Sequence, residues 1–238
     1  MRQGEAKALL AARREGRAVV LFTPLDGGLQ RLLDAAGLAL LALTDPDLAT
    51  AGREALRSDR AQVVTAAGVE VLVTPHNPPL RLIVVGAVHI SEALCSMARA
   101  AGYAVTVIDP RTAFLRPERF PQVTLIDEWP QQAFAALQPD SRTAVVLLTH
   151  DPKIDDPALL AVLPTPAFYV GALGSTRTHA KRLQRLAEAG VAEPERARIH
   201  GPAGLSIGAR TPAEIAISVL AQMTQVLRQE NRARDTAT

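Results

Sequence analysis

From residue 80 onward, short runs of apolar residues give way, one after another, to stretches with helical spacing. Residues 82–85 are apolar without alternation, which marks a strand covered on both faces, as in a parallel sheet. Gly86 ends this run and a helix starts after it. Residues 104–109, 143–148 and 167–173 repeat the pattern, with a shorter strand at 123–126. Helices are expected at 157–163, after Ser175, and from Pro212, where Thr211 and Glu214 compose a capped start. Strands alternating with helices predict an α/β fold, a doubly wound parallel sheet of the Rossmann-like kind.

The first 79 residues read differently. Ala6, Leu9, Leu10 and Arg13 share one helical face within residues 3–15, and Gly16 is a stop. Residues 18–22 predict a strand, 23–28 a turn, and a short helix runs from there to 36. Residues 38–43 are read as a strand, and 46–57 as a helix capped by Asp45. Residues 61–66 and 69–74 predict a hairpin about Ala67-Gly68. The stretch Pro75-His-Asn-Pro-Pro79 then punctuates the chain. Residues 1–79 are therefore expected to form a small α/β N-terminal domain and 80–230 the Rossmann-like domain, followed by a polar, frayed tail.

Composition narrows the classes. The 238 residues are 48% hydrophobic and only 3% aromatic, so Ala, Leu and Val must fill the core. A net charge of +2 gives no global pull toward nucleic acid. The single cysteine, Cys95, rules out an internal disulfide and a cysteine-based zinc site. It sits among Leu94, Met97 and Ala98 and reads as a buried, unreactive thiol. The polar start and the lack of an apolar run of about 18 residues predict neither signal peptide nor membrane span.

Four stretches carry candidate chemistry. The dinucleotide fingerprint G-x-G-x-x-G falls on Gly86, Val88 and Ser91, so only its first glycine is present, and a valine stands where the pyrophosphate needs close approach. Asp109 lies 23 residues after Gly86, near the roughly 20 at which an acid binds ribose. It could equally pair with Arg111 or cap the next turn. Thr149, His150 and Asp151 sit at the carboxyl end of a central strand, where such sheets bind ligands, and Lys153 and Asp155 follow. The spacing of these residues fits no standard metal site. Gly174 and Ser175 open a helix bearing Arg177, Thr178, Lys181, Arg182 and Arg185. Its free amides and cations suit a phosphate, against the simpler reading of a solvated basic face. Gly204, Gly208 and Arg210 lie in a glycine-rich loop, which implies tight turns or close approach of a ligand.

Taken together, Leu82-Ile-Val-Val-Gly86-Ala-Val-His89, Val105-Thr-Val-Ile-Asp109-Pro-Arg111, Leu148-Thr149-His150-Asp151-Pro-Lys153, Tyr169-Val-Gly171-Ala-Leu-Gly174-Ser175 and the run from Ile199 to Glu214 resemble the xanthine dehydrogenase accessory factor family (XdhC/CoxI) over about residues 72–228. The resemblance implies a cytoplasmic homodimer that is not itself a turnover enzyme. It implies binding of the molybdenum cofactor (molybdopterin), and help with its sulfuration and insertion into a xanthine dehydrogenase-type molybdenum hydroxylase. A cysteine desulfurase would be a further partner. The residues placed at the cofactor are Gly86, His89, Asp109, Arg111, Thr149, His150, Asp151, Gly174, Ser175, Arg182, Gly204 and Gly208, with Gly86 and His89 as one wall of the crevice. The family's N-terminal domain usually carries a Gly-Ser-x-Pro-type loop and a glycine-rich motif with a cysteine, and residues 1–79 contain neither. Two other readings stand beside this one: an NAD(P)-dependent oxidoreductase using Gly86 and Asp109, and a module that docks on the dehydrogenase without holding a cofactor.

Overall fold

The computed structural model describes residues 3–235, with side chains through residue 229. The chain folds as two compact units that meet in sequence between Pro78 and Pro79.

The first unit begins with helix α1 (Gln3–Arg14), followed by strands β1 (Val19–Pro24) and β2 (Arg31–Leu33), helices α2 (Ala35–Leu41) and α3 (Pro46–Ser58), and strands β3 (Gln62–Ala66) and β4 (Val69–His76). The sheet order is β2-β1-β4-β3 and every pair is antiparallel. The β3–β4 hairpin forms as expected. Ala67 and Gly68 take φ of 49° and 79°, the two positive values that a two-residue turn of the primed type requires.

Two expectations fail between residues 28 and 43. The short helix expected up to residue 36 is replaced by β2, and the strand expected at 38–43 is the helix α2. Asp34 decides the second case: its side chain accepts from the Gly37 amide at 2.9 Å and caps the helix. Leu38 and Leu41, three apart, are then buried, while Leu40 is 68% exposed. A short apolar run has no period that separates strand from helix, so the cap settles it. Val20, Phe22, Leu38, Leu41, Ala49, Ala55, Val71 and Val73 make this unit's core.

The second unit starts with β5 (Arg81–Val85), α4 (His89–Ala100), β6 (Ala104–Ile108), β7 (Thr124–Ile126), α5 (Pro130–Leu137) and β8 (Thr143–Leu147). It continues through α6 (Pro152–Val162), β9 (Tyr169–Ala172), α7 (Thr176–Glu188), α8 (Glu193–Arg196), β10 (Ile199–His200) and α9 (Pro212–Asp235). All pairings are parallel, in the order β7-β6-β5-β8-β9-β10, the doubly wound Rossmann order. Successive residues of β5 face opposite cores. Leu82 and Val84 join α4 and α9, whereas Ile83 and Val85 join α5 and α6. This double burial is why the strand shows no alternation in sequence.

Helix α6 starts five residues before the expected 157, because Asp151 caps it by accepting from the Lys153 amide at 3.0 Å and Pro152 takes its first turn. Pro157 lies inside the helix and costs it one backbone bond, which is what hid the earlier start. Helix α5 had no expected counterpart. The capped start of α9 is as expected: Glu214 accepts from the Thr211 amide at 2.9 Å, and its own amide reaches the Thr211 hydroxyl at 3.2 Å. The polar tail expected to fray after about residue 230 is helical as far as Asp235, where α9 ends, and residues 236–238 lie outside the described residues. Among the described residues, no helix is long and apolar enough to cross a membrane.

Candidate functional site

The strand order reverses between β5 and β8, so the loops after these strands flank the crevice where doubly wound sheets hold ligands. Gly86 ends β5 with φ of 110°, and a Cβ there would lie 2.7 Å from Thr149 Cγ2. The two loops therefore touch at Gly86, which no side chain could allow.

The site of the dinucleotide fingerprint is filled by the protein's own groups. The Ala87 amide donates to Asp109 Oδ2 at 2.9 Å, and the Val88 amide donates to Ser91 Oγ at 2.7 Å. Asp109 is fully buried. It also accepts from the Arg111 amide (3.0 Å), Arg111 Nε (2.9 Å) and Arg111 Nη2 (2.8 Å). A carboxylate has about four acceptor positions, and all are occupied. Burial alone would push the Asp109 carboxyl up, but the bonds from Arg111 and the Ala87 amide outweigh it and hold it below the usual range. Asp109 thus pairs with Arg111, one of its sequence alternatives, and has no capacity left for a ribose. The Arg111 guanidinium lies 4.7 Å over the Phe114 ring. His89 begins α4 with its side chain 89% exposed, 3.5 Å from Glu92.

On the other side of the switch, the loop after β8 meets the start of α7. Thr149 Oγ1 donates to Asp155 Oδ1. His150, with φ of 58°, is exposed in the left-handed region that a non-glycine residue seldom adopts. Asp155 is buried, and that burial raises its pKa against the pull of the Thr149 hydroxyl and Arg182. Ser175 caps α7 by accepting from the Thr178 amide at 3.1 Å, and Gly174 makes the turn before it with φ of 145°.

Arg182, one helical turn before Leu186 on the same face, is only 2% exposed. Its Nη2 donates to the Leu173 carbonyl at 2.8 Å and lies 3.7 Å from Asp155 Oδ2. Its Nε and Nη1 have no hydrogen-bond partner among the described residues. Burial pulls its pKa down, and Asp155 opposes that. Leaving a buried charge so thinly paired costs several kcal/mol. Arg182, His150, Asp155, Arg177 and Lys181 line a cavity of about 220 Å³. Arg185 lines it too, but Asp156 holds it by two bonds of 2.5 and 2.9 Å.

The glycine-rich loop serves the fold. A Cβ on Gly204 would lie 2.3 Å from Ser218 Oγ of α9. The Gly204 amide and the Tyr169 hydroxyl both donate to Gln222 Oε1, at 2.8 and 2.6 Å. Gly208 is an exposed loop residue with open space around it.

Of the residues placed at the cofactor from sequence, the cavity gathers His150 and Arg182, with Thr149, Asp151, Gly174 and Ser175 in its supporting loops, and the basic residues Arg177, Lys181 and Arg185 of α7 line it as well. Asp109 and Arg111 form a buckle beside Gly86, while His89, Gly204 and Gly208 lie elsewhere. What the sequence reading missed is the meeting of Asp155 with Arg182. The available signal was that Arg182 shares the apolar stripe of α7 with Leu186. Among the described residues, no group of three or more His, Cys, Asp or Glu side chains is arranged to hold a metal ion.

The family model of the XdhC Rossmann domain matches residues 82–223. The molybdenum cofactor insertion chaperone PaoD of Escherichia coli is 38% identical over 150 residues, which are 63% of this chain and 41% of that protein. A probable xanthine dehydrogenase subunit of Bacillus subtilis is 34% identical over 150 residues, 63% of this chain and 43% of that protein. The chain thus spans less than half the length of these curated relatives. The crystal structure of a xanthine dehydrogenase from Bacillus halodurans has the same fold, with a TM-score of 0.60 at 19% identity over 98% of this chain and 97% of that one.

Proposed function

The chain belongs to the XdhC family by its Rossmann domain, and from that membership we propose that it is a molybdenum cofactor insertion chaperone for a xanthine dehydrogenase-type molybdenum hydroxylase. The cofactor is its cargo, bound in the cavity between the loop after β8 and the start of α7. The Rossmann-like domain of residues 80–230 carries the binding, and residues 1–79 form a separate domain. The working form is a cytoplasmic homodimer without turnover activity of its own.

The observation that carries this reading is the contrast across the switch point. The dinucleotide position is closed by Asp109 and Ser91, whereas the other side presents a buried guanidinium with two unbonded nitrogens. That donor set fits a phosphate-bearing pterin. Arg182, with Arg177 and Lys181, would hold the anionic end, and His150 would offer a ring nitrogen to the polar edges. Bound cofactor supplies the molybdenum centre of the client, and the chaperone's part is to orient and shelter it.

Support for sulfuration comes only with a partner. Cys95 is buried and its thiol is pushed up to about 12, so it stays protonated at neutral pH and cannot relay sulfur. A cysteine desulfurase acting as the donor meets that requirement.

Titration of the purified chain with molybdenum cofactor, and separately with NAD(H) and NADP(H), tests the proposal. Submicromolar cofactor binding with no nicotinamide binding is the expected result. The reverse pattern would establish the oxidoreductase reading and sink this one. Binding of neither, with the dehydrogenase still captured, would leave a docking module.

A further inference from the structure

We propose that the cavity between the β8–α6 loop and the first two turns of α7 is a phosphate subsite, with Arg182 as its inner donor and Arg177 and Lys181 as its outer ones. The subsite grips the phosphate end of a phosphorylated ligand, and it rests on the proposed function only for the identity of the rest of that ligand.

Three independent features converge there. Arg182 is almost wholly removed from solvent (2% exposed), yet its Nε and Nη1 are unbonded and it lines the cavity. A guanidinium presents five donors in a planar fork that matches phosphate oxygens. One of its nitrogens, Nη2, is used by the Leu173 carbonyl. The 3.7 Å gap to Asp155 is too long for a hydrogen bond. Asp155 is also engaged by Thr149 on its other oxygen, so it anchors Arg182 without neutralising its free edge.

The second feature is α7 itself. It is 13 residues long and opens at the cavity. The amides of its first turn have no intrahelical acceptor, and the positive end of its dipole points the same way. Ser175 takes up only the Thr178 amide. At α4 the two amides just before the helix, those of Ala87 and Val88, are taken by Asp109 and Ser91.

Charge and size are the third. Arg177 and Lys181 are exposed on the cavity rim, while the charge of Arg185 is spent on Asp156. Three cations therefore face the single carboxylate of Asp155. A volume of about 220 Å³ is below the roughly 300–1,000 Å³ of a site that encloses a whole small ligand. It suits one compact group, with the remainder of the ligand lying along the loops toward His150.

The test is calorimetric titration of the full chain, at constant ionic strength, with inorganic phosphate, with cytidine monophosphate and with molybdenum cofactor. Phosphate is expected to bind and to compete with the cofactor. Arg177→Ala and Lys181→Ala alter exposed side chains, so melting temperature should hold while phosphate and cofactor each weaken about 5–10-fold. Arg182→Lys keeps the charge and loses the fork, and should weaken both further wherever it retains a cooperative melt. The two exposed variants carry the test if it does not. Absence of phosphate binding, or wild-type phosphate affinity in both exposed variants, would overturn the subsite. Cofactor binding retained in that same experiment would leave the proposed function standing. Phosphate binding lost in the variants, with no cofactor binding, would support the subsite and overturn the cofactor as its ligand. Cytidine monophosphate binding tighter than phosphate would then assign the ligand to the nucleotides.

Discussion

Asp109 is the residue whose role changes most between sequence and structure. Its spacing from Gly86 suits a ribose ligand, but its four acceptor positions are filled from within. Asp109→Asn should put an amide nitrogen against the donors of Ala87 or Arg111. The expected cost is about 3 kcal/mol, toward the low end for a broken buried pair because the Arg111 side chain is 37% exposed. The pH dependence has a definite sign. The folded pKa lies below the ordinary 3.8, so the pair stabilises fully above that value and is lost as pH falls through the folded one. Urea unfolding should show a constant deficit for the variant near neutrality that shrinks in acid. A deficit that does not change with pH would mean the carboxylate's charge is not what stabilises the fold. His150 is a contrasting case. It is exposed and lines the cavity, so His150→Ala should keep the melting temperature and weaken cofactor binding by about fivefold to tenfold, one hydrogen bond's worth. Unchanged affinity in calorimetry would remove His150 from the site.

At the scale of elements, glycines report where backbone segments meet. Gly204 combines φ of 100° with a Cβ position 2.3 Å from Ser218 Oγ. Gly204→Ala should cost about 2–4 kcal/mol from strain and overpacking, lowering Tm on the order of 5–15 °C. Gly208→Ala, with φ of 76° and open space around it, should cost only about 1 kcal/mol. Scanning calorimetry separates the two, and equal losses would show that strain alone, not the α9 contact, sets the cost. Much of this level was legible in sequence. The strands at 82–85 and 143–148 were readable because double burial leaves an unbroken apolar run, and α3 and α9 because their caps are local. Helix α2 and the start of α6 were not. In each, one aspartate's hydrogen bond to a helix-start amide outweighs an ambiguous pattern, and Pro157 mimics a helix start. The glycine-rich loop left tight turns and a ligand equally open in sequence, and the partner of Gly204 is Ser218, fourteen residues away on α9.

For the whole molecule, separate cores imply separate folding units. The first unit packs around Phe22, Leu38 and Val73, and the second around the two faces of β5 and β8. A chain of residues 79–238 should therefore unfold cooperatively by circular dichroism and retain phosphate binding. A fragment without a melting transition would show that the first unit is needed for the second to fold.

The main strands of the second unit, its parallel sheet and the family resemblance were contained in the residues, because periodicity, caps and motif spacing are local properties of the chain. The state of each polar group was not. Whether Asp109 is free or saturated, whether Gly204 meets a ligand or a helix, and whether Arg182 is solvated or buried depend on segments brought together by folding. Arg182 and Asp155 are 27 residues apart in sequence; the stripe shared with Leu186 hints that Arg182 is buried, but not which residue it meets. The crevice was placed by the strand pattern, but folding decided that Asp109 and Ser91 close its β5 side while Arg182 keeps two unbonded nitrogens in the cavity beside the loop after β8.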